Sequence, residues 1–278
     1  MRIFGLAKSV LTYSCLGAGV AAMMALVIPT GATAGTVTVC TAIDLCYCVN
    51  TDIRSQIDAN VARVRQLIQD QRKQGKAIGY LSIPLSTAGG SYFGVNTDVA
   101  QQAKDRIEKR YGANSLWMLN PGAEGNLPPG ATGADYMLMW TTILEGAKGL
   151  GEDFDFFYFT GPSSFHAFFG LDGTDDMGKI VAYFDKRLAT DPGLQKAVAS
   201  GQVSQLSFRN YYALRASIAF SYGSHDEWNI ARIINERRRG STDYGVANQL
   251  GIMFDGAAAA PSAAEAPIAS GDVGRCIN

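Results

Sequence analysis

Residues 77–85 read AIGYLSIPL, a short apolar run followed by the small polar stretch Ser86-Thr87-Ala88-Gly89-Gly90-Ser91. A run of this length with apolar residues at odd and even positions alike is the pattern of a strand covered on both faces. Two more runs repeat it. Residues 116–119 (LWML) end in Asn120-Pro121-Gly122, and residues 154–159 (FDFFYF) end in Thr160-Gly161-Pro162. The intervening segments carry helical spacing: Val99, Ala103, Ile107 and Tyr111 share one face over 96–111, with Gly112 as a stop, and 134–147 is apolar at the same period. Strands alternating with helices predict a parallel βαβαβ core over residues 77–160 with right-handed crossovers, an α/β fold with a three-layer sheet.

Working outward, Ile53, Ile57, Val61, Val64 and Ile68 predict an amphipathic helix over 51–74 that stops at Gly75. After Phe165 the pattern turns helical, over 175–189, 192–200, 204–222 and 225–239, so a mostly helical C-terminal half is expected. Residues 243–255 read equally as helix or strand. A single α/β domain over 35–255 follows, with a flexible Ala-, Pro- and Ser-rich tail over 256–278 ending in Cys276.

The N-terminus reads as an export signal. Arg2 and Lys8 precede an uncharged apolar segment from Val10 to Ile28, Pro29 breaks it, and Ala32-Thr33-Ala34 offers a small-x-small cleavage site ahead of Gly35. Residues 1–34 are therefore expected to be a signal peptide, and the mature chain to be periplasmic or secreted; retention as an uncleaved anchor is the alternative. Without Arg2 and Lys8 the formal charge is about −3, which gives no electrostatic footprint for nucleic acid. No membrane association is expected after cleavage. The remaining cysteines, Cys40, Cys46, Cys48 and Cys276, are an even set in an oxidising compartment, and disulfides are expected, with three connectivities open. A bond from Cys276 to one of the other three is favoured, since Cys-x5-Cys-x-Cys matches no common zinc spacing. Neither a metal nor a cofactor is expected: the loops fit neither G-x-x-x-x-G-K-[ST] nor G-x-G-x-x-G, and no H-E-x-x-H is present.

In open parallel sheets ligands bind beyond the carboxyl ends of the strands. The loops there supply Ser86, Gly89, Gly90, Asn120, Thr160 and Ser163, small or polar residues suited to close approach by a small-molecule ligand. Candidate catalytic groups are three. Glu145 stands near a helix C-terminus, where the dipole disfavours a carboxylate, so helix stability does not explain it. His166 follows the third strand, where it serves either as an acid, base or donor or as a packed first-turn residue. Glu227 lies in Ser224-His225-Asp226-Glu227-Trp228, which also fits a capping box, Ser224-x-x-Glu227, ahead of an apolar helix.

The order of these parts over residues 77–165, with Tyr80-Leu81-Ser82-Ile83-Pro84-Leu85-Ser86 on the first strand and Leu119-Asn120-Pro121 ending the second, resembles the nucleoside 2-deoxyribosyltransferase-like fold. The resemblance implies that Tyr80 and Ser86 lie near a sugar or base, with Asn120 near the same crevice. The family's catalytic glutamate, in a Gly-Thr-x-x-Glu-like segment after the third strand, has no counterpart in Gly161–His166. Two functions are expected from the sequence: binding of a nucleoside- or sugar-like molecule with transfer or hydrolysis at a glycosidic bond, or a non-catalytic periplasmic binding or interaction module whose protein partner the sequence does not identify.

Overall fold

The structure, a computed structural model, describes residues 35–215, 222–245, 248–260 and 271–277. The expected signal segment, 1–34, lies outside the described residues. Strand β3 (Ala77–Ser82) pairs in parallel with β4 (Leu116–Leu119) on one side and with β5 (Phe156–Phe159) on the other. β6 (Gly251–Phe254) continues the sheet in parallel beside β5, and β7 (Ala257–Ala259) closes it in the antiparallel sense, giving the order β4-β3-β5-β6-β7. The fold is thus mixed α/β on a five-stranded, mostly parallel sheet. A separate hairpin, β1 (Thr36–Cys40) with β2 (Cys46–Asn50), precedes it.

Alternate side chains of the sheet enter two apolar clusters, as the period of two requires. Ile78, Tyr80, Leu119, Phe157 and Phe159 pack with helices α1 (Arg54–Lys73), α4 (Gly133–Glu145) and α9 (Tyr222–Arg239). Leu81, Met118 and Tyr158 pack with α2 (Phe93–Tyr111), α5 (Pro162–Phe169) and α6 (Asp176–Leu188). Of the remaining helices, α3 (Pro121–Glu124) follows β4, while α7 (Pro192–Ala199) and α8 (Gln205–Asn210) precede a π-helical turn over Tyr211–Arg215.

The C-terminal half is not helical throughout. The ambiguous stretch 243–255 contains β6, whose neighbour Leu250 is fixed by Asn235 of α9 through two hydrogen bonds of 3.1 and 2.7 Å. Within the expected tail, Ala257–Ala259 form β7, and Gly274 N–H donates to the Cys46 carbonyl at 2.7 Å. Residues 261–270 of that tail lie outside the described residues. Two disulfides are present, Cys40–Cys46 and Cys48–Cys276, so the C-terminal cysteine is tied to the N-terminal hairpin.

Arg238, in the run Glu236-Arg237-Arg238-Arg239 that ends α9, has a structural role. It is buried, and its guanidinium donates to the carbonyls of Leu150 (2.6 Å), Gly151 (2.7 Å) and Asn248 (3.2 Å). Arg238→Ala would leave those carbonyls without their charged donor. We expect a loss of about 3 kcal/mol in urea unfolding. A loss under about 0.5 kcal/mol, the usual scale of surface substitutions, would mean that water replaces the guanidinium without cost.

Candidate functional site

Tyr80 and Ser82 are two residues apart on β3, so their side chains leave the same face of the sheet. Above that face runs α9, whose buried stripe is Glu227, Ile230, Ala231, Ile234 and Arg238. This is the spacing of one helical face, and it places a carboxylate where an apolar residue would ordinarily sit. The Tyr80 hydroxyl donates to Glu227 Oε1 at 2.5 Å and the Ser82 hydroxyl to Oε2 at 2.5 Å. Aromatic contacts hold the Tyr80 ring, with centroids 5.8 Å from Trp140, 6.2 Å from Phe154 and 5.4 Å from Phe157. Thr160 fixes the end of β3, donating through both its amide (3.0 Å) and its hydroxyl (3.1 Å) to the Ser82 carbonyl.

Glu227 is 7 % exposed, and its remaining surface lines a cavity of about 560 Å³ at the carboxyl-terminal edge of the sheet. Burial pushes its pKa up to about 7, the two hydroxyl donors pull it down, and the neighbouring Asp226 adds to the rise. Tyr80, buried beside that carboxylate, is raised well above the usual phenol value and so stays a donor. The cavity walls come from the loop after β3 (Ile83, Leu85, Ser86), from Pro121, and from the first two turns of α4. Tyr136, Met137 and Trp140 supply apolar surface, and Phe93 and Tyr222, 43 % and 52 % exposed, stand on its rim. Asp272, from the C-terminal segment, completes the lining. Its carboxylate sits against Gly133, where a Cβ would come within 2.5 Å of Oδ2, so a larger residue there would displace the carboxylate.

The structure brings Tyr80, Ser86 and Glu227 together and leaves the other sequence candidates apart. Glu145 is buried at the far end of α4, about 18 Å along the helix from Gly133 at 1.5 Å per residue. Its Oε2 accepts the Ile43 amide at 3.0 Å, which ties the hairpin to α4 and offsets part of the burial that raises its pKa. His166 is exposed on α5. Asn120 caps α3, accepting from Gly122 N–H at 2.9 Å, and Ser163 donates to Asp255 in the turn after β6. Gly89 and Gly90 lie in a 3-10 turn that follows the cavity-lining Thr87 and do not themselves line the cavity; at Gly90, with φ of 99°, a Cβ would collide with Ser207 at 2.6 Å. His225 is buried one residue beyond Ser224, and neither ring nitrogen has a partner among the described residues.

Sequence reading missed Ser82, Phe93, Tyr136, Trp140, Tyr222 and Asp272. Ser82 had a signal, being two residues from Tyr80 on a strand, and so did Tyr136 and Trp140, four apart on one helix. Asp272 had none. Fold and cavity together define an α/β protein with a buried carboxylate facing an aromatic-walled cavity at the sheet edge. No family model, no curated protein and no solved structure matches the chain. Among the described residues, no helix is long and apolar enough to cross a membrane.

Proposed function

We propose that this is an exported α/β protein, with its sheet layered between helices on both faces, that binds a nucleoside- or sugar-like molecule in this cavity. We propose further that it cleaves or transfers at the glycosidic bond of that ligand, with Glu227 as the reacting carboxylate. The observation that carries the reading is the buried Glu227, aimed into the cavity and held by Tyr80 and Ser82. Buried carboxylates with raised pKa values and a dedicated partner set are typical of reacting groups. The resemblance of residues 77–165 to the nucleoside 2-deoxyribosyltransferase-like fold supports the same ligand class, with Glu227 on α9 supplying the carboxylate that the segment after β5 lacks.

In its ionised form Glu227 attacks the anomeric carbon, and the electron pair of the broken bond leaves with the base or aglycone. Water or an acceptor then takes the glycosyl group and frees the carboxylate. Tyr80 and Ser82 each donate to one oxygen, which orients the group and leaves lone pairs for reaction. The aromatic walls suit the flat face of a base or the apolar face of a sugar.

A panel of nucleosides and simple glycosides, with thermal unfolding as the readout, tests this. At a hundredfold excess over Kd, a ligand of the native state adds about 2.7 kcal/mol, a rise of roughly 5–10 °C for a domain of this size. Phe93→Ala and Ser86→Ala should each reduce the rise. No shift with any member of the panel would remove the ligand reading, and an undiminished shift in both variants would place the site elsewhere.

A further inference from the structure

Glu227 sits at the floor of the cavity, tied to β3 through Tyr80 and Ser82, and apolar side chains run from it to the mouth. Trp140, 5 % exposed, packs its indole against the Tyr80 ring with centroids 5.8 Å apart, so apolar surface begins beside the carboxylate. Leu85 and the buried Pro121 continue it, and Tyr136 joins it one helical turn from Trp140. It ends at the exposed rings of Phe93 and Tyr222. Aromatic side chains exposed at a cavity mouth are surface that a ligand can take out of water.

We infer that the ligand of this cavity is an aryl glycoside, with its aromatic aglycone lying along this wall and out to the mouth. The inference rests on the proposed ligand site and names its substrate class. A nucleophilic carboxylate displaces the leaving group from the far side of the anomeric carbon. With Glu227 at the floor, the sugar lies over the carboxylate and the leaving group points outward, past Trp140 and Pro121 towards Phe93 and Tyr222. An aromatic ring gains there from offset and edge-to-face packing as well as from burial. A nucleobase on the same wall would bring polar ring edges that cost free energy unless each finds a partner, whereas a phenyl or naphthyl ring brings none.

The O-aryl bond also fits the chemistry proposed for Glu227. As the carboxylate oxygen bonds to the anomeric carbon, the C–O bond breaks and its electron pair leaves on the phenolic oxygen. A phenol has a pKa of about 10, so the phenoxide departs far more readily than an alkoxide and takes a proton from water afterwards. In hydrolysis a second water bonds to the anomeric carbon and the ester to Glu227 breaks. The proton released then balances the one taken by the phenoxide.

The test is calorimetric titration of the full mature chain at pH 8 with matched methyl, phenyl and 2-naphthyl β-D-ribosides and β-D-glucosides, inosine, and 2-naphthol. In whichever sugar series binds, the phenyl glycoside should bind at least about tenfold more tightly than the methyl one, and the naphthyl at least as tightly as the phenyl. Phe93→Ala and Tyr222→Ala should each narrow the phenyl-to-methyl ratio, a comparison made within one variant and so independent of any loss of folding. Equal affinity across a series, or inosine binding more tightly than every aryl glycoside, would overturn the aglycone inference while leaving the ligand site standing. Binding of 2-naphthol as tight as that of its glycosides would uphold the aryl wall and remove the glycosidic reading. No binding of any probe overturns both.

Discussion

Replacing Glu227 by glutamine is expected to make the protein more stable above neutral pH and, at the same time, nearly inactive. The stability half follows from proton linkage. The carboxyl's pKa rises from 4.5 to about 7 on folding, so between these values the folded state binds a proton that the unfolded chain has released. Unfolding free energy therefore falls as pH rises through that window and is flat above it. The contribution is fully present below pH 4.5 and lost once pH exceeds about 7. At 1.36 kcal/mol per pKa unit the loss reaches about 3 kcal/mol by pH 8.

The amide of the Glu227→Gln variant would keep the shape, offer an oxygen to one of the two hydroxyls and an N–H to the other, and carry no charge to desolvate. Its expected advantage over the parent is about 3 kcal/mol at pH 8, a rise in Tm of roughly 6–12 °C, shrinking towards zero at pH 4. Glu145 and Asp153 are also raised by burial and add slope of the same sign, so the difference between parent and variant is the quantity to measure. On a substrate of the proposed class, loss of the carboxylate should lower turnover by about 10²–10⁴. Stabilisation with loss of activity is the mark of a group kept against stability for its chemistry. A variant that is less stable at pH 8 and retains the parent's pH slope would show that Glu227 is a satisfied structural acid.

How far this site could be read from the chain depends on whether its signals are local. The strands of AIGYLSIPL, LWML and FDFFYF announce themselves because four to six apolar residues between polar loops fit little else. β6 and β7 do not. GIMF follows a stretch whose pattern fits helix as well, and AAA has low strand preference and pairs only because the turn at Asp255-Gly256 returns it to β6. The β1–β2 hairpin opens on an unbroken β-branched run, Thr36–Val39, but its three cysteines draw attention to bonding before conformation. At Glu227 two local rules compete. Ser224-x-x-Glu227 fits a capping box, whereas the i, i+3, i+4, i+7 series Glu227, Ile230, Ala231, Ile234 puts the same residue on the buried stripe. Packing against β3 makes the stripe decisive, since that face is where α9 must lose water. Tyr80 is legible through the resemblance and Ser82 only by period. Asp272 reaches the wall through a bond near its own end of the chain to Cys48, far back in the sequence, and a contact of that kind leaves no local trace.

That bond carries the second large effect. Replacing Cys48 and Cys276 together by Ser should lower stability by up to about 5 kcal/mol, because a cross-link spanning 228 residues removes much of the unfolded chain's freedom. The Cys40–Cys46 link, spanning 6 residues, is worth about 2 kcal/mol on the same reckoning. For a domain of this size the longer link corresponds to roughly 10–20 °C in Tm. The non-covalent ties of the segment include a bridge between Tyr47 and Val273, Gly274 N–H to the Cys46 carbonyl, and Cys276 N–H to Thr38 Oγ1 at 2.9 Å. With the covalent tether gone the segment is expected to lose its native position, and Asp272, four residues before Cys276, to leave the cavity wall with it. The double variant is thus expected to show a smaller ligand-induced rise in Tm than the parent with any ligand of the cavity. The reduced protein should show both losses, and reoxidation should restore stability and ligand binding together. Urea unfolding and titration of the oxidised protein, the reduced protein and the double variant decide the matter. A drop below about 1 kcal/mol with unchanged affinity would mean that the ends are held by packing and that the bond is incidental to the site.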